Sequence, residues 1–370
     1  MKLCYVLPQY NYNSSENFFH IINFLSELGK EVELSVIIEH CDVDPVIPNV
    51  KELFVLDNGV CKPSLYERFL KIIRIYFLLY RSGVRVFFSR ASLTGVIPLV
   101  VANRLLNFNR GRVVFWSCGQ DVVPLSFIPT RKNIKRLFSK VCGWIMFKGI
   151  NYLATGPELM VDYYHHHYGI PVQKILTLYN DISLERFHPL SATEKEKLKF
   201  NLIGSQKIIL LFVHTFNVSR GTDLLPLIAL ELKAKGIDAV ILAIGREGDY
   251  SSELINNIAN YQLDDYLVHV GQIPNRDISS YYQIADLFLM PSRGEGFPRV
   301  LLESMACGCP PLSFDVGGVA EILPSDSLKQ LLVSCDDEQR FIDQSTALIE
   351  DSFLLEQLGC KSSEKVKEYN

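Results

Sequence analysis

Short, almost uninterrupted apolar runs recur along this chain, each followed by a longer segment of helical rhythm, and this alternation limits the fold more than any other feature. The first series reads LCYVLP (Leu3–Pro8), VELSVII (Val32–Ile38), VRVFF (Val84–Phe88) and RVVFW (Arg112–Trp116). An apolar run without polar alternation is a strand buried on both faces, so a parallel sheet covered by helices follows. One helix is expected over the periodic residues Phe18, Ile21, Ile22, Leu25 and Leu28, capped by Ser14 or Ser15 and ended by Gly29. A second series reads KIILLFV (Lys207–Val213), DAVILAI (Asp238–Ile244), YLVHV (Tyr266–Val270), DLFLM (Asp286–Met290) and PPLSF (Pro310–Phe314). Between the series, Asn180–Phe200 loses its apolar rhythm and gains charge, as a linker leading to a surface helix does. The expected organisation is therefore a first α/β domain over 1–190 and a second over 191–370. Open α/β sheets take ligands beyond the carboxyl ends of their strands, so two such domains facing across a cleft would form one site.

Composition narrows the function classes. With 48% hydrophobic and 21% charged residues the chain is far from the balance of a disordered protein. Lys and Arg number 37 against 41 Asp and Glu, a net charge of -4, which provides no overall field to attract nucleic acid. The nine cysteines are odd in number and lack a CxxC spacing, so reduced thiols in a cytoplasmic protein are expected. The first strand begins close to the start of the sequence, without the basic and apolar regions of a signal peptide. The richest apolar stretch, Ile72–Tyr80, is interrupted by Arg74 and is too short to cross a bilayer.

The most informative segment is PSRGEGFPRVLLESMACGCPPLSFDVGGVAEIL (Pro291–Leu323). A strand ends at Met290, two glycines and Pro298 form a turn, and a helix starts near Pro298 or Arg299. The N–H groups of such a helix start can hold a diphosphate. Glu295 precedes the helix and Glu303 lies about one turn inside it, so both can address one ligand at different points. Gly317 and Gly318 open the next loop and allow another close backbone approach.

These residues resemble the donor-binding signature of the retaining glycosyltransferases of family 4, which have the two-domain GT-B fold. The matching pattern is E-G-F-P, a second glutamate eight positions after the first, then G-x-P and D-x-G-G-x-x-E. Thr155–Pro189 resembles the end of that family's N-terminal domain, GREGDY at Gly245 its glycine turn, and HVGQIP at His269 the loop beside the base. The resemblance implies a sugar nucleotide, UDP-linked by preference, bound mainly by the second domain, and a saccharide or lipid-linked acceptor bound mainly by the first. A hexose or N-acetylhexosamine would be transferred with retention, without a metal or other cofactor, in surface polysaccharide or glycoconjugate synthesis. Glu295 would contact the donor sugar and Glu303 the ribose hydroxyls. Gly296, Phe297, Pro298, Arg299, Val300 and Leu301 would touch sugar and phosphate through backbone groups, Pro298 through its carbonyl alone. Gln272 and Ile273 would lie by the base, and Arg246 or Arg293 could take over the task of a diphosphate cation that the family has and this chain lacks.

The chain departs from the family pattern in several places. His214 and Thr215 stand where the family usually has G-R, leaving Arg220 as the cation expected at the diphosphate. YNYNSSENFF (Tyr10–Phe19) replaces a glycine pair, so Asn13, Ser14 and Ser15 are either acceptor contacts or a structural cap. RVVFWSCGQDVVP has no histidine; Asp121 or Gln120 would orient an acceptor hydroxyl, or Asp121 caps the following turn. Cys118 is read as a packed side chain. The family usually closes with a helix returning to the N-terminal domain, whereas this sequence stops at Ser362–Asn370, so the second domain is expected without it. These departures keep open a non-catalytic sugar-nucleotide-binding relative or partner subunit, and more remotely a GT-B-fold epimerase.

Two basic and aromatic stretches, Tyr66–Phe88 and Arg131–Gly149, fit either peripheral association with an anionic inner membrane face or ordinary packing with a solvated basic edge. His165, His166 and His167 point in different directions on a helix and do not converge on a metal.

Overall fold

In a computed structural model the chain is described over residues 1–10, 19–59, 63–117, 143, 146–324 and 328–369. Contacts divide it into two compact units, Met1–Leu178 and Tyr179–Asn370. The sequence boundary at 190/191 differs from this division because Ile182 and Phe187 are buried in the second unit's core.

The first unit contains β1 (Lys2–Leu7), β2 (Glu33–Ile38), β3 (Glu52–Val55), β4 (Val86–Arg90), β5 (Arg112–Trp116), β6 (Tyr152–Thr155) and β7 (Ile175–Thr177). They form one sheet in the order β3-β2-β1-β4-β5-β6-β7, and the pairs are parallel. Alternation within β1 divides the core between the two faces: Cys4 and Val6 join one cluster, and Leu3, Tyr5 and Leu7 the other. The helix Phe19–Glu31 runs past Gly29 instead of ending there. Gly29 serves a close approach, since a Cβ at that position would lie 2.3 Å from the Asn49 carbonyl oxygen. Within Tyr66–Phe88, the helix Leu65–Arg81 begins with a capping box between Ser64 and Glu67 and buries Ile72, Tyr76 and Leu79. Leu65, Tyr66, Leu70 and Leu78 remain exposed.

The second unit contains β8 (Ile208–Val213), β9 (Ala239–Ile244), β10 (Leu267–Gly271), β11 (Leu287–Met290), β12 (Pro311–Phe314) and β13 (Leu332–Val333). Their order is β10-β9-β8-β11-β12-β13, again parallel. β9 and β11 are buried at every residue, as their unbroken apolar sequences predict. The linker helix Ala192–Ile203, capped by Ser191 and Glu194, docks through Lys195 and Lys199, which hold Asp286 at 2.8 and 2.9 Å. Six strands of each unit follow the Rossmann order, in which the chain reverses direction between two adjacent strands. Those strands are β1 and β4 in the first unit, and β8 and β11 in the second.

Candidate functional site

The loops after β8 and β11 meet at the second unit's switch point, where a doubly wound sheet opens to a ligand. Their approach is backbone against backbone. Gly221 has φ +74°, and a Cβ on it would lie 2.0 Å from the Pro291 carbonyl oxygen. The Arg293 N–H donates to the Ser219 carbonyl at 3.0 Å. The loop after β12 closes from the other side: Gly317 has φ +56°, and its Cβ would meet the Glu295 carbonyl oxygen at 1.9 Å. The Gly318 N–H donates to the Gly296 carbonyl at 2.8 Å. The glycine pair is thus the neighbour that sets the backbone of Glu295 and Gly296.

Glu295 has a side chain only 11% exposed, and its Oε1 lies 2.5 Å from Arg220 Nη1 and 3.4 Å from His214 Nε2. Arg220 also donates to the Gly294 carbonyl at 2.9 Å. The Thr215 N–H donates to His214 Nδ1 at 2.8 Å, which makes Nδ1 an acceptor and leaves Nε2 to face the carboxylate. Burial alone would push the Glu295 carboxyl up, but contact with His214 and the Arg220 charge outweigh it and hold the carboxyl below its ordinary value. The anion is therefore held ionised in a site shielded from water.

The helix Arg299–Ala306 starts directly after Pro298, as expected, and its first turn has no side-chain cap. Its positive end is open to an anion. Arg299 pairs through its side chain with Asp181 at 3.1 Å. Val300 is partly buried against the core, and Leu301 is fully buried within it. Phe297 is a buried anchor packed between Tyr179 and Tyr369, with ring centroids at 5.0 and 5.4 Å. Its carbonyl accepts from Asn180 Nδ2 at 2.7 Å. Glu303, on the next turn of the helix, is half-buried. Burial pushes its carboxyl up, against the opposing charges of Arg299 and Arg186. The Tyr282 hydroxyl is buried beside it, and the two groups interact.

Thr215 is half-buried, whereas Arg246 and Gln272 are exposed and Ile273 packs on the core. Asp121 lies outside the described residues, as do Asn13, Ser14, Ser15, Cys118, Gln120 and most of Arg131–Gly149. Arg293, another cation of this loop, is taken up by Asp223 at 2.8 Å and Glu338 at 2.6 Å, so it clasps elements together. Sequence reasoning missed His214 as a neighbour of Glu295, and Arg186 and Tyr282 as neighbours of Glu303. None of these pairs has a local spacing signal.

No group of three or more His, Cys, Asp and Glu among the described residues is arranged to hold a metal ion. No described helix is long and apolar enough to cross a membrane.

Comparison with solved structures shows the fold. The whole chain aligns with 95% of Anabaena HepE, solved in complex with UDP, at TM-score 0.77 and 15% identity. The chain has the GT-B fold. A second GT-B likeness, to sucrose-phosphate synthase from Thermosynechococcus elongatus, covers 100% of this chain and 94% of that one at TM-score 0.73 and 15% identity. Residues 193–369, almost all of the second GT-B unit, match the family described as glycosyl transferases group 1. An uncharacterized 41.2 kDa protein in the cps region of Klebsiella pneumoniae is 27% identical over 87% of this chain and 84% of its own length. The lipopolysaccharide core biosynthesis mannosyltransferase LpsB of Rhizobium meliloti is 31% identical over 46% of this chain, which spans about half (49%) of LpsB.

Proposed function

We propose that the protein is a retaining glycosyltransferase of family 4 that moves a hexose or N-acetylhexosamine from a nucleotide sugar to a saccharide or lipid-linked glycan acceptor. The observation that carries this reading is the shielded, ionised Glu295 held by Arg220 beside an uncapped helix start, within a region that matches glycosyl transferases group 1. The second unit binds the nucleotide sugar and the first binds the acceptor. The helix start at Arg299 receives the diphosphate, with Arg246 and Thr215 nearby. Glu303 accepts from the ribose hydroxyls, Gln272 and Ile273 flank the base, and Glu295 faces the donor sugar. Fixed N–H groups and Arg220 stabilise the leaving diphosphate in place of a metal. UDP is the favoured nucleotide because structures of the similar HepE contain UDP and UDP-glucose. The relatives named for lipopolysaccharide core synthesis and the cps region support a role in surface polysaccharide assembly. Asp121 as an acceptor-orienting residue, and a peripheral position at the inner membrane face, belong to the same proposal.

A binding protein without turnover is the second reading, favoured by one observation: Arg220, the cation expected at the diphosphate, is engaged by Glu295 and Gly294. The two readings separate in one assay. Radiolabelled UDP- and GDP-sugars are supplied with a membrane lipid extract to the parent protein and to Glu295→Gln. Label entering product only with the parent supports transfer; donor binding without product from any donor supports the binding reading.

A further inference from the structure

The first unit has its own switch point, at the carboxyl ends of β1 and β4, and a cavity of about 110 Å³ opens there. Pro8, Gln9, Ile21, Ile22 and Arg90 line it. A single water occupies about 30 Å³ of liquid, so this volume suits a polyatomic group.

Arg90 ends β4, half-buried, and its guanidinium lies 4.1 Å from the centroid of the buried Trp116 ring. Guanidinium donors lie in the plane of the group, so stacking covers a face and leaves the donor edge usable. The guanidinium also engages the buried Tyr5 hydroxyl: burial pushes that hydroxyl's pKa up, and the charge of Arg90 and a hydrogen bond from it oppose the shift, which occupies part of the donor edge and leaves the rest for the cavity. No carboxylate among the described residues pairs with Arg90. The nearby buried carboxylate, Glu39, is held by the Ser92 and Thr94 hydroxyls, and Arg68 is the cation that acts on it.

The residue after Arg90 adds an independent observation. Ala91 has φ +48°, a left-handed conformation that a side chain disfavours. Its N–H donates to the Trp116 carbonyl at 2.8 Å, which pins the strained residue at the cavity wall and keeps Arg90 over Trp116. Backbone strain held in place in this way is characteristic of sites whose geometry matters. A partly desolvated guanidinium with no counter-ion among the described residues, against largely apolar walls, is completed by an oxyanion accepting charge-assisted hydrogen bonds.

We propose that Arg90, assisted by the Gln9 amide, forms an oxyanion-binding subsite in the first unit that holds a phosphate, diphosphate or carboxylate group of the acceptor. The word acceptor rests on the glycosyltransferase reading; the anion site does not.

The test is calorimetric titration of inorganic pyrophosphate into the full chain with UDP at saturation, so that any diphosphate site in the second unit is filled. Arg90→Gln is expected to weaken pyrophosphate binding by about tenfold or more, the size of a charged hydrogen-bond pair. Arg90→Lys, which keeps the charge but loses the planar fork, should fall between. Melting temperature and UDP affinity report whether each variant is folded; if Arg90→Gln does not fold, Arg90→Lys and Gln9→Ala take its place. Equal pyrophosphate binding by parent and folded variants, or no binding by the parent, overturns the subsite. Glucose 1-phosphate and glucuronate as separate probes distinguish a phosphate source from a carboxylate source. Failure of the chain to turn over any nucleotide sugar, with Arg90-dependent pyrophosphate binding intact, removes the glycosyltransferase reading and leaves the anion site. Transfer that proceeds only to neutral acceptors and is unaffected by Arg90→Gln removes the acceptor assignment.

Discussion

The two units share a strand order, β3-β2-β1-β4-β5-β6 in one and β10-β9-β8-β11-β12-β13 in the other, yet their carboxyl edges carry different chemistry. In the second, glycines press three loops together and a carboxylate, Glu295, is surrounded by positive and donor groups. In the first, a guanidinium stands over an indole without an anionic partner among the described residues, and the buried carboxylate Glu39 is held by hydroxyls. Strand order decides where loops converge; loop residues decide what converges there.

The contrast can be broken most directly at Glu295. Glu295→Gln is expected to lower transfer by about 100-fold or more, the scale of removing one fixed electrostatic group from a shielded site, while UDP binding changes only a few-fold. Steady-state rates and UDP titration on the same preparation check both halves. Next in size is Gly317→Ala. The left-handed φ alone costs about 1–2 kcal/mol, and the added methyl group would meet the Glu295 carbonyl at 1.9 Å. Hydrogen exchange should show the second unit losing protection while the first is unchanged; equal loss in both would mean that the loop packing is not local.

Acidity sharpens the comparison because the half-buried Asp286 of the second unit and the buried Glu39 of the first respond in opposite directions. Burial pushes Asp286 up, but Lys195 and Lys199 outweigh it, so its folded pKa lies below the ordinary value. Its contribution to stability is present above the ordinary aspartate pKa and is lost as pH falls through the lower folded value. Burial pushes Glu39 up despite Ser92, Thr94 and Arg68. Its ionisation therefore erodes stability as pH rises from the ordinary glutamate value through the raised one. Asp286→Asn should reduce the acid-side loss in the second unit, and Glu39→Gln should flatten the rise-in-pH loss in the first. Unit-resolved hydrogen exchange across pH reads both; identical slopes in parent and variants would contradict these assignments.

The smallest effect is expected where the units are alike. Each has a serine-glutamate capping box, Ser64 with Glu67 and Ser191 with Glu194. Ser64→Ala and Ser191→Ala should each cost about 1 kcal/mol in thermal unfolding. A much larger value for Ser191 would assign its helix a role in second-unit folding beyond its cap.

Much of this fold was legible in the amino-acid sequence because parallel strands buried on both faces leave unbroken apolar runs such as AVILAI and LFLM. The four strands that escaped have weaker signals: β3 is a half-exposed edge, β6 has four residues, β7 three and β13 two. The start of the helix at Arg299 was legible from Pro298, and the loop closure from Gly317 and Gly318. The contact of Arg220 with Glu295 was not, since 75 residues separate them and only the adjacency of β8 and β11 brings them together. Arg90 escaped for a related reason: its indole partner stands on the neighbouring strand, and no local motif marks the pair.

The most direct measurement is a crystal structure of the full chain soaked with UDP. The account predicts the nucleotide at the carboxyl ends of β8 and β11, with its ribose hydroxyls within hydrogen-bond distance of Glu303 and its diphosphate at the start of the helix Arg299–Ala306. UDP bound instead at the Arg90 cavity, or away from Glu303, would contradict it.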